Sequence, residues 1–276
     1  MKKKQFNVGI TTLIVVLCAT VFIVPLVWMV LSSFKPVTEV FSSPFHWLPS
    51  EWRIENYIEV WTDSYANMFQ SYLNSFFIVI MSILGSLSIA SLAAYGFAKI
   101  DFIGKNFIFM LFLASMMIPA QVTIIPTYML FQTFKLYDNL WAVILPAWFN
   151  VTAIFMLRQF YIGLPNGLME AAKIDGASHF RIFAQIMMPL TKSAMVSLLV
   201  LGFITSWNEY LYPLIFLISP EKYTVAQVIR YWLLDEFKRY NLTMAAATSA
   251  IVPVLVLFLS CQKYFIEGIA TSGIKG

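Results

Sequence analysis

Charged residues are scarce in this sequence. Asp, Glu, Lys and Arg make up 12% of its 276 residues, and hydrophobic residues make up 60%. Soluble domains average about 25% charged and about 45–50% apolar residues. The composition therefore excludes an ordinary soluble domain and indicates a protein of the lipid bilayer.

Residues that bind metals or catalyse reactions are also few. The two histidines, His46 and His179, are far apart, so the sequence holds no H-E-x-x-H pattern and no ligand cluster. Cys18 and Cys261 both fall in apolar runs, where we expect packing residues, with neither a disulfide nor a metal. The nearest approach to a Walker A loop, "GIATSGIK", has isoleucine where the motif needs lysine. We expect no metal site, no catalytic residue and no ATP held by such a loop.

Long apolar runs dominate the chain instead. Runs longer than about 18 residues predict membrane-spanning helices. The predicted spans are residues 10–31, 73–97, 107–131, 140–158, 193–217 and 241–262. The first is longer than the roughly 7–15 apolar residues of a signal peptide, which favours a retained helix over a cleaved signal. We expect a single all-α membrane domain over residues 1–276, with six transmembrane helices.

Lysine and arginine are unevenly distributed between the connecting segments. With the N-terminus in the cytoplasm, the cytoplasmic segments hold eleven of these residues and the outer segments seven. Cytoplasmic loops carry such an excess in membrane proteins. We therefore expect both termini in the cytoplasm. The outer segment 32–71 is rich in Trp and Tyr, which indicates an aromatic belt at the membrane surface or, alternatively, a binding surface.

One charged stretch, "EAAKIDGASHF", interrupts the apolar pattern within a loop at residues 165–189. Its first part favours a helix as far as Asp175, and Gly176 would end that helix. Ser178 would then cap a second helix that ends at Pro189. Helices of about 10 residues are marginal alone in water, so their apolar side chains need a surface to pack on. A DNA-reading helix–turn–helix has this shape, but the tethers to membrane spans exclude nucleic acid as a partner.

A few polar residues fall within the apolar runs. Such residues in membrane segments mark pathways for solutes. The candidates for a substrate path are Gln121, Asn150, Trp207, Asn208, Glu209 and Tyr210. The alternative for "SWNEYLYP" is an interfacial anchor, with Trp and Tyr at the membrane surface and Glu209 reaching water.

The pattern "EAAKIDGA", followed by "IMMP", resembles the EAA loop of permease subunits of binding-protein-dependent ABC importers. That loop reads E-A-A, three residues, G, and later I-x-L-P. Met188 replaces the usual leucine, and Ser193 stands where a proline is common. "MIPAQVTIIPTYMLF", "SWNEYLYPLIFL" and "QKYFIEGIATSGIKG" are similar to the sugar-importer branch, whose maltose-system members are the best known.

The resemblance implies a permease subunit whose cytoplasmic loop, between the fourth and fifth spans, docks on an ATPase. The residues it assigns to this coupling are Glu170, Ala171, Ala172, Asp175, Gly176, Ala177, Phe183, Ile186 and Pro189. The implied partners are a second permease subunit, two ATPase subunits that bind ATP and magnesium, and an extracytoplasmic solute-binding protein. This chain itself would bind no cofactor and catalyse no reaction. The implied location is a prokaryotic plasma membrane, and the implied solute is a mono- or oligosaccharide.

Other functions fit the sequence less well. Permeases for glycerol-3-phosphate or a related polar solute share the same motifs. A self-contained secondary transporter needs ionisable groups near the membrane midplane and often has repeated halves. Only Glu209 meets the first requirement, and no repeat is visible. A membrane-embedded enzyme needs paired His, Asp or Glu at membrane depth, which the apolar runs lack.

Overall fold

The computed structural model describes the backbone of residues 2–273 and the side chains of residues 11–262. The described part is helical and contains no β-strand, which confirms the predicted all-α class. Val37–Glu39 and Pro220–Lys222 are 3-10 helices, and Phe183–Met187 is a π-helix. The α-helices are α1 (Lys2–Ser32), α2 (Glu55–Thr62), α3 (Met68–Lys99), α4 (Lys105–Ser115), α5 (Ala120–Thr133), α6 (Trp141–Trp148), α7 (Val151–Gly163), α8 (Gly167–Ile174), α9 (His179–Ile182), α10 (Met188–Leu190), α11 (Lys192–Trp207), α12 (Leu211–Phe216), α13 (Val225–Leu233) and α14 (Tyr240–Gly273).

Within the described residues, four helical segments are long and apolar enough to cross a membrane. They are Thr11–Ser32, Met68–Lys99, Trp141–Gly163 and Tyr240–Gln262. Two bent pairs of helices pass the same test together, and they raise the number to six if each pair is one span. The pairs are Lys105–Ser115 with Ala120–Thr133, and His179–Leu190 with Lys192–Trp207.

Breaks in the helices are the main difference from the sequence prediction. The run at 107–131 is two helices, α4 and α5, which meet at an angle of 95°. Pro119 precedes α5 with extended backbone (φ −60°, ψ 135°). Proline lacks an N–H and disfavours helical backbone in the residue before it, so α4, which ends at Ser115, does not continue into α5. The run at 193–217 is likewise broken, because α11 ends at Trp207 and α12 begins at Leu211.

The chain forms two compact units. The first comprises residues 1–69 and 227–252. In it, α2 is hydrogen-bonded to α14, since the Asn241 amide donates to Asn56 Oδ1 (2.9 Å). The indole N–H of Trp61 donates to Ser249 Oγ nearby (3.1 Å). On α13, Trp232 is buried.

The second unit comprises residues 70–226 and 253–276. Its main core joins α3, α7, the 165–189 loop and α11. Small residues on α3, Ala90 and Ala94, are fully buried at this core, and small residues let helix backbones approach closely. Nearer the start of α3, a Cβ on Gly85 would lie 2.0 Å from Trp148 Nε1. The approach of α6 to α3 therefore depends on glycine at that position.

Candidate functional site

The 165–189 loop, which we call the coupling loop, contains the turn that the sequence predicts. Gly176 has φ +76°, and it follows α8 as the glycine of a Schellman motif. Its N–H donates to Lys173 O (3.0 Å), and the next N–H donates to Ala172 O (2.9 Å). Ser178 Oγ then accepts from the backbone N–H of Arg181 (3.3 Å) and caps α9. Both the glycine stop and the serine cap are confirmed.

The coupling loop buries one face and exposes the other. Phe183 packs on Tyr95 of α3, with ring centroids 5.4 Å apart. Other buried loop residues in the same core are Met169, Ala172, Ile182 and Met187. The predicted coupling residues divide accordingly: Ala172 and Phe183 are buried, Ala177 and Ile186 are half-buried, and Glu170, Ala171, Asp175, Gly176 and Pro189 are exposed. The protein itself therefore supplies the packing surface for only part of the loop.

The second loop helix extends one residue beyond its predicted end. It continues through the π-helix and Pro189 to Leu190. Pro189 has no N–H to donate into a regular helix, and the π-helix lies in the turn before it. Thr191 ends the element, with its N–H and its Oγ1 both donating to Met187 O (3.2 and 3.1 Å). The chain then bends by 76° into α11.

Trp207, the aromatic residue proposed for the substrate path, lies in the packed interior. It is 4% exposed and stacks on Phe203, with ring centroids 5.6 Å apart and planes 9° apart. The rings of Phe76 and Tyr72 on α3 contact it as well, at 5.0 and 5.5 Å. Trp207 is therefore a core residue and not an interfacial one, and its role in a substrate path stays a prediction.

The polar residues after Trp207 stabilise the break between α11 and α12. The exposed side chain of Asn208 donates from Nδ2 to Ile204 O (2.8 Å). Glu209 Oε1 accepts from the backbone N–H groups of Leu211 and Tyr212 (2.9 and 3.1 Å). Tyr210 is half-buried beside them. Glu209 therefore caps α12, and the side chain of Asn208 stays exposed beside it.

Gln121 and Asn150 also lie at helix breaks. Asn150 caps α7 by accepting from Ala153 N–H (3.0 Å), and Gln121 is exposed in the first turn of α5. Among the described side chains, Gln121, Asn150 and Asn208 make no hydrogen bond to one another. Asn150 and Asn208 have non-helical backbone inside an apolar run, and Gln121 lies just after such a break. Such backbone is tolerated at membrane depth only where protein covers it or where it lines a water-filled cavity.

Residues 86–270 match the family described as binding-protein-dependent transport system inner membrane component. The chain belongs to this family. It is therefore a permease subunit, a multi-pass protein of the plasma membrane. The matched residues include the coupling loop and the break after α11. Among the described residues, no group of three or more His, Cys, Asp or Glu side chains could hold a metal ion.

Several curated proteins are similar to this permease over most of their length. The arabinooligosaccharide transport system permease protein AraQ of Halalkalibacterium halodurans is 34% identical, over 94% of this chain and 93% of that protein. The diacetylchitobiose uptake system permease protein NgcG of Streptomyces coelicolor is 31% identical, over 92% and 85%. The sn-glycerol-3-phosphate transport system permease protein UgpE of Escherichia coli is 31% identical, over 85% of each chain.

A solved structure has the same fold. It is the crystal structure of a bacterial ABC transporter involved in the import of the acidic polysaccharide alginate. One of its chains superposes on this permease with a TM-score of 0.84, over 96% of this chain and 98% of that chain. The two are 21% identical, so the likeness concerns the fold alone.

Contacts between the coupling loop and α3 were not predicted from the sequence. Lys99, at the end of α3, donates from Nζ to Leu164 O and to Asn166 Oδ1, both at 2.7 Å. Tyr95, one turn earlier, is hydrogen-bonded through its hydroxyl to His179 Nδ1 (3.1 Å). The permease thus attaches both the start and the middle of its coupling loop to one helix.

The opposite end of α3 is attached to a second loop. Asn74 Nδ2 donates to Glu221 O and Tyr223 O (2.8 and 3.0 Å). Ser75 Oγ accepts from the N–H of Val225 (2.9 Å). The partners in these three hydrogen bonds are more than 140 residues away in the sequence, so local sequence patterns carry no signal for them.

Asp138 joins two loops of the permease outside the spans. Its carboxylate accepts from Ile218 N–H (2.9 Å), from Ser219 N–H (3.1 Å) and from Lys222 Nζ (2.7 Å). Burial disfavours the charged form, but the hydrogen bonds from Lys222, Ser219 and Ile218 outweigh it and hold the pKa of Asp138 well below its usual range. Asp138 adopts φ +52°, which aspartate tolerates better than most residues.

Proposed function

We propose that this permease forms half of the translocation path of an ATP-driven importer for a carbohydrate, either a mono- or an oligosaccharide. The observation that carries the proposal is the coupling loop, which is attached to a membrane helix on one face and exposed on the other. AraQ and NgcG, whose names specify carbohydrates, support the class of solute.

The exposed face of the coupling loop suits a protein partner. Ile174 is 86% exposed and Phe180 is 71% exposed, and exposed apolar residues of this kind mark interaction sites when they cluster. Asp175 lies at the C-terminal end of α8, where the helix dipole disfavours a negative charge. A cation on the partner would offset that charge. We propose that the partner is a cytoplasmic ATPase subunit and that Glu170, Ala171, Asp175 and Gly176 face it.

The rest of the assembly follows from the same proposal. Two ATPase subunits would bind ATP and magnesium, and this chain would hydrolyse nothing itself. A second, similar permease subunit would complete the path, and an extracytoplasmic binding protein would deliver the solute. The excess of lysine and arginine on one side of the spans supports cytoplasmic termini.

A phosphorylated solute is the second candidate, because UgpE is also similar to this permease. Phosphate groups are bound most strongly by arginine, lysine and other charge-assisted donors. The candidate path residues Gln121, Asn150, Asn208 and Glu209 include no such cation. Their amide and carboxylate groups suit the hydroxyls of a neutral sugar better.

The decisive experiment reconstitutes the permease with its partner subunits and binding protein in vesicles. ATP-dependent uptake of arabinooligosaccharides, diacetylchitobiose and glycerol-3-phosphate is then compared. Uptake of a neutral oligosaccharide that needs both ATP and the binding protein supports the proposal. Uptake without an ATPase subunit, or of glycerol-3-phosphate alone, contradicts it.

A further inference from the structure

A pair of cations beside the end of α3 is the basis of this inference. The chain turns there from α3 into α4, and Arg158 of α7 reaches the turn, because its Nε donates to Phe97 O (3.2 Å). Lys105 begins α4 on the other side of the turn. We call Lys105 and Arg158, together with the rings of Phe97, Phe102 and Phe109, the basic cluster. None of its members belongs to the coupling loop or to the candidate substrate path.

Arg158 has hydrogen-bond donors without an acceptor. Its guanidinium group lies over the Phe109 ring, with Cζ 4.1 Å from the ring centroid. It makes no ion pair with any residue that the structure describes, and its hydrogen bond there is the one from Nε to Phe97 O. A guanidinium group has five N–H groups, so the four on Nη1 and Nη2 are left for a partner outside the described chain. Because the side chain is half-buried, an anionic partner would stabilise its charge.

Lys105 adds a second positive charge on the same side of α4. It precedes Phe109 by four residues, about one helical turn, so the two side chains share a face of the helix. The Lys105 side chain is 18% exposed, and its ion pair is with Asp101 (3.2 Å), whose side chain is fully exposed. Water screens such an exposed pair, so Asp101 offsets the charge only weakly. Lys99, at the end of α3, donates to neutral oxygens, which leaves this end of the helix positively charged.

Large apolar side chains lie exposed next to the two cations. Ile103, in the turn before α4, is fully exposed, and Phe107 and Phe102 are 60% and 41% exposed. Cations and apolar side chains at the same level are typical of the boundary between lipid head groups and acyl chains. The neighbours of the basic cluster therefore favour lipid over water as its surroundings.

We propose that the basic cluster binds the phosphate group of an anionic phospholipid in the cytoplasmic leaflet. The proposal rests on the proposed function for one point, that the end of α3 beside the coupling loop faces the cytoplasm. Guanidinium N–H groups bind phosphate oxygens strongly, often two at a time, and basic sites between transmembrane helices on the cytoplasmic side bind lipid head groups. Free phosphate has the same oxygens, but only a lipid also brings acyl chains that cover Ile103 and Phe107.

The test titrates the assembled transporter in detergent with phosphatidylglycerol and measures bound lipid by native mass spectrometry. Arg158→Gln should weaken binding of the tightest lipid by about tenfold or more, because hydrogen bonds to charged groups are the stronger ones. Lys105→Gln, the milder change for the fold, should weaken it by about fivefold. Lys192→Gln is the matched control, since it removes the same charge at an exposed residue that begins α11. Its lipid affinity should stay within about twofold of the wild type.

Further arms identify the ligand. Arg158→Lys keeps the charge and should bind phosphatidylglycerol more tightly than Arg158→Gln does. Phosphatidylcholine, which has the phosphate but no net charge, should bind more weakly than phosphatidylglycerol, and an excess of inorganic phosphate should not displace the lipid.

Three results overturn the inference. They are equal lipid affinities of the Arg158→Gln, Lys105→Gln and Lys192→Gln transporters, displacement of the lipid by inorganic phosphate, and loss of a partner subunit from both cluster variants with lipid binding unchanged. The last result would mean that a protein covers the basic cluster. Normal lipid binding by a transporter that shows no ATP-dependent uptake would instead overturn the proposed function.

Discussion

Gly176 is the residue on which the shape of the coupling loop depends. Its φ of +76° is in the left-handed region, and a Cβ there would meet nothing within 4 Å. A substitution therefore acts through backbone strain alone, which costs about 1–2 kcal/mol for an ordinary residue and more for a β-branched one. The second loop helix would be misdirected.

We expect Gly176→Val to uncouple ATP hydrolysis from solute uptake in reconstituted vesicles. Gly176→Asn is the matched control, because asparagine tolerates positive φ, and it should keep most of the uptake. Solute binding by the isolated binding protein should not change. Normal uptake by Gly176→Val vesicles would mean that the loop is only a linker.

Asn208 tests the substrate path at the residue scale. Its side chain is exposed at a helix break, whereas Trp207 beside it is buried. Losing one hydrogen bond to a solute costs about 1–3 kcal/mol, so Asn208→Ala should slow uptake by about tenfold. Basal ATPase activity and subunit assembly should be unaffected. Trp207→Ala should instead lower the amount of protein in the membrane.

Normal transport by variants of these residues would mean that the substrate path lies elsewhere in the permease. If Asn208→Ala and Glu209→Gln both transport at the wild-type rate, the residues after α11 only stabilise the helix break. Glu209→Gln is informative because glutamine keeps the carbonyl oxygen that can cap α12.

The structural role of a single residue can be predicted from the sequence when it depends on residues close to it in the chain. Gly176 and Ser178 follow from turn and cap chemistry within a few residues. The burial of Trp207 was not predictable, because a tryptophan at an interface and one in a core have the same sequence context. The bonds of Lys99 were missed since its partner Leu164 is 65 residues away.

At the scale of elements, α3 and α6 approach closely at Gly85. A Cβ there would lie 2.0–2.4 Å from the Trp148 indole, which also donates to Met81 O. Gly85→Ala should therefore destabilise the permease by about 1–3 kcal/mol, as overpacking does. Gly96→Ala on the same helix meets nothing within 4 Å and should be neutral or stabilising. Thermal unfolding in detergent distinguishes the two, and equal melting temperatures would contradict the packing.

The loops joined by Asp138 should respond to acid. The pKa of Asp138 is lower in the folded protein than in the unfolded chain, where an aspartate has a pKa of about 3.9. Its stabilising contribution is therefore fully present above the unfolded pKa and is lost as pH falls through the folded pKa.

We expect proteolysis of the loops around Asp138 and Ser219 to increase as the pH is lowered below about 4, measured with an acid-active protease. Asp138→Asn should raise proteolysis at neutral pH and remove this part of the pH dependence. Unchanged proteolysis in Asp138→Asn would show that the other contacts hold the loops.

Helix breaks show where element-level prediction from sequence fails. Pro25, Pro126, Pro146 and Pro253 lie inside helices, whereas Pro119 lies at a break and precedes α5. Whether a helix continues through a proline or breaks there depends on the neighbouring elements, because they must provide hydrogen-bond partners for the backbone groups that the proline leaves unpaired. Hydropathy finds the apolar runs, but it does not find the bend of 95° within one of them or the bend of 76° just before another.

At the scale of the whole molecule, the permease leaves much apolar surface uncovered. The span Thr11–Ser32 is 0% buried within the chain, and the spans Met68–Lys99, Trp141–Gly163 and Tyr240–Gln262 are 33–39% buried. Lipid can cover apolar helices, but it cannot cover polar residues that line a path. We therefore expect the permease expressed alone to aggregate or to be degraded.

Co-expression with the second permease subunit should restore a single species by size-exclusion chromatography. A stable monomer that transports solute without any partner would contradict the assembly proposed above.

Because α3 is attached to a loop at each of its ends, a tilt of this helix moves both loops together. The helix has 32 residues, so it is about 48 Å long. The helix moves as a rigid rod. A sideways displacement of about 2 Å at the end that contacts the coupling loop, over a length of about 48 Å, tilts its axis by about 2°. Asn74 and Ser75 would carry that tilt to the loop at residues 221–225 without any helix changing its length. Conformational states of the permease should accordingly differ in the angles between helices far more than in the internal geometry of α3.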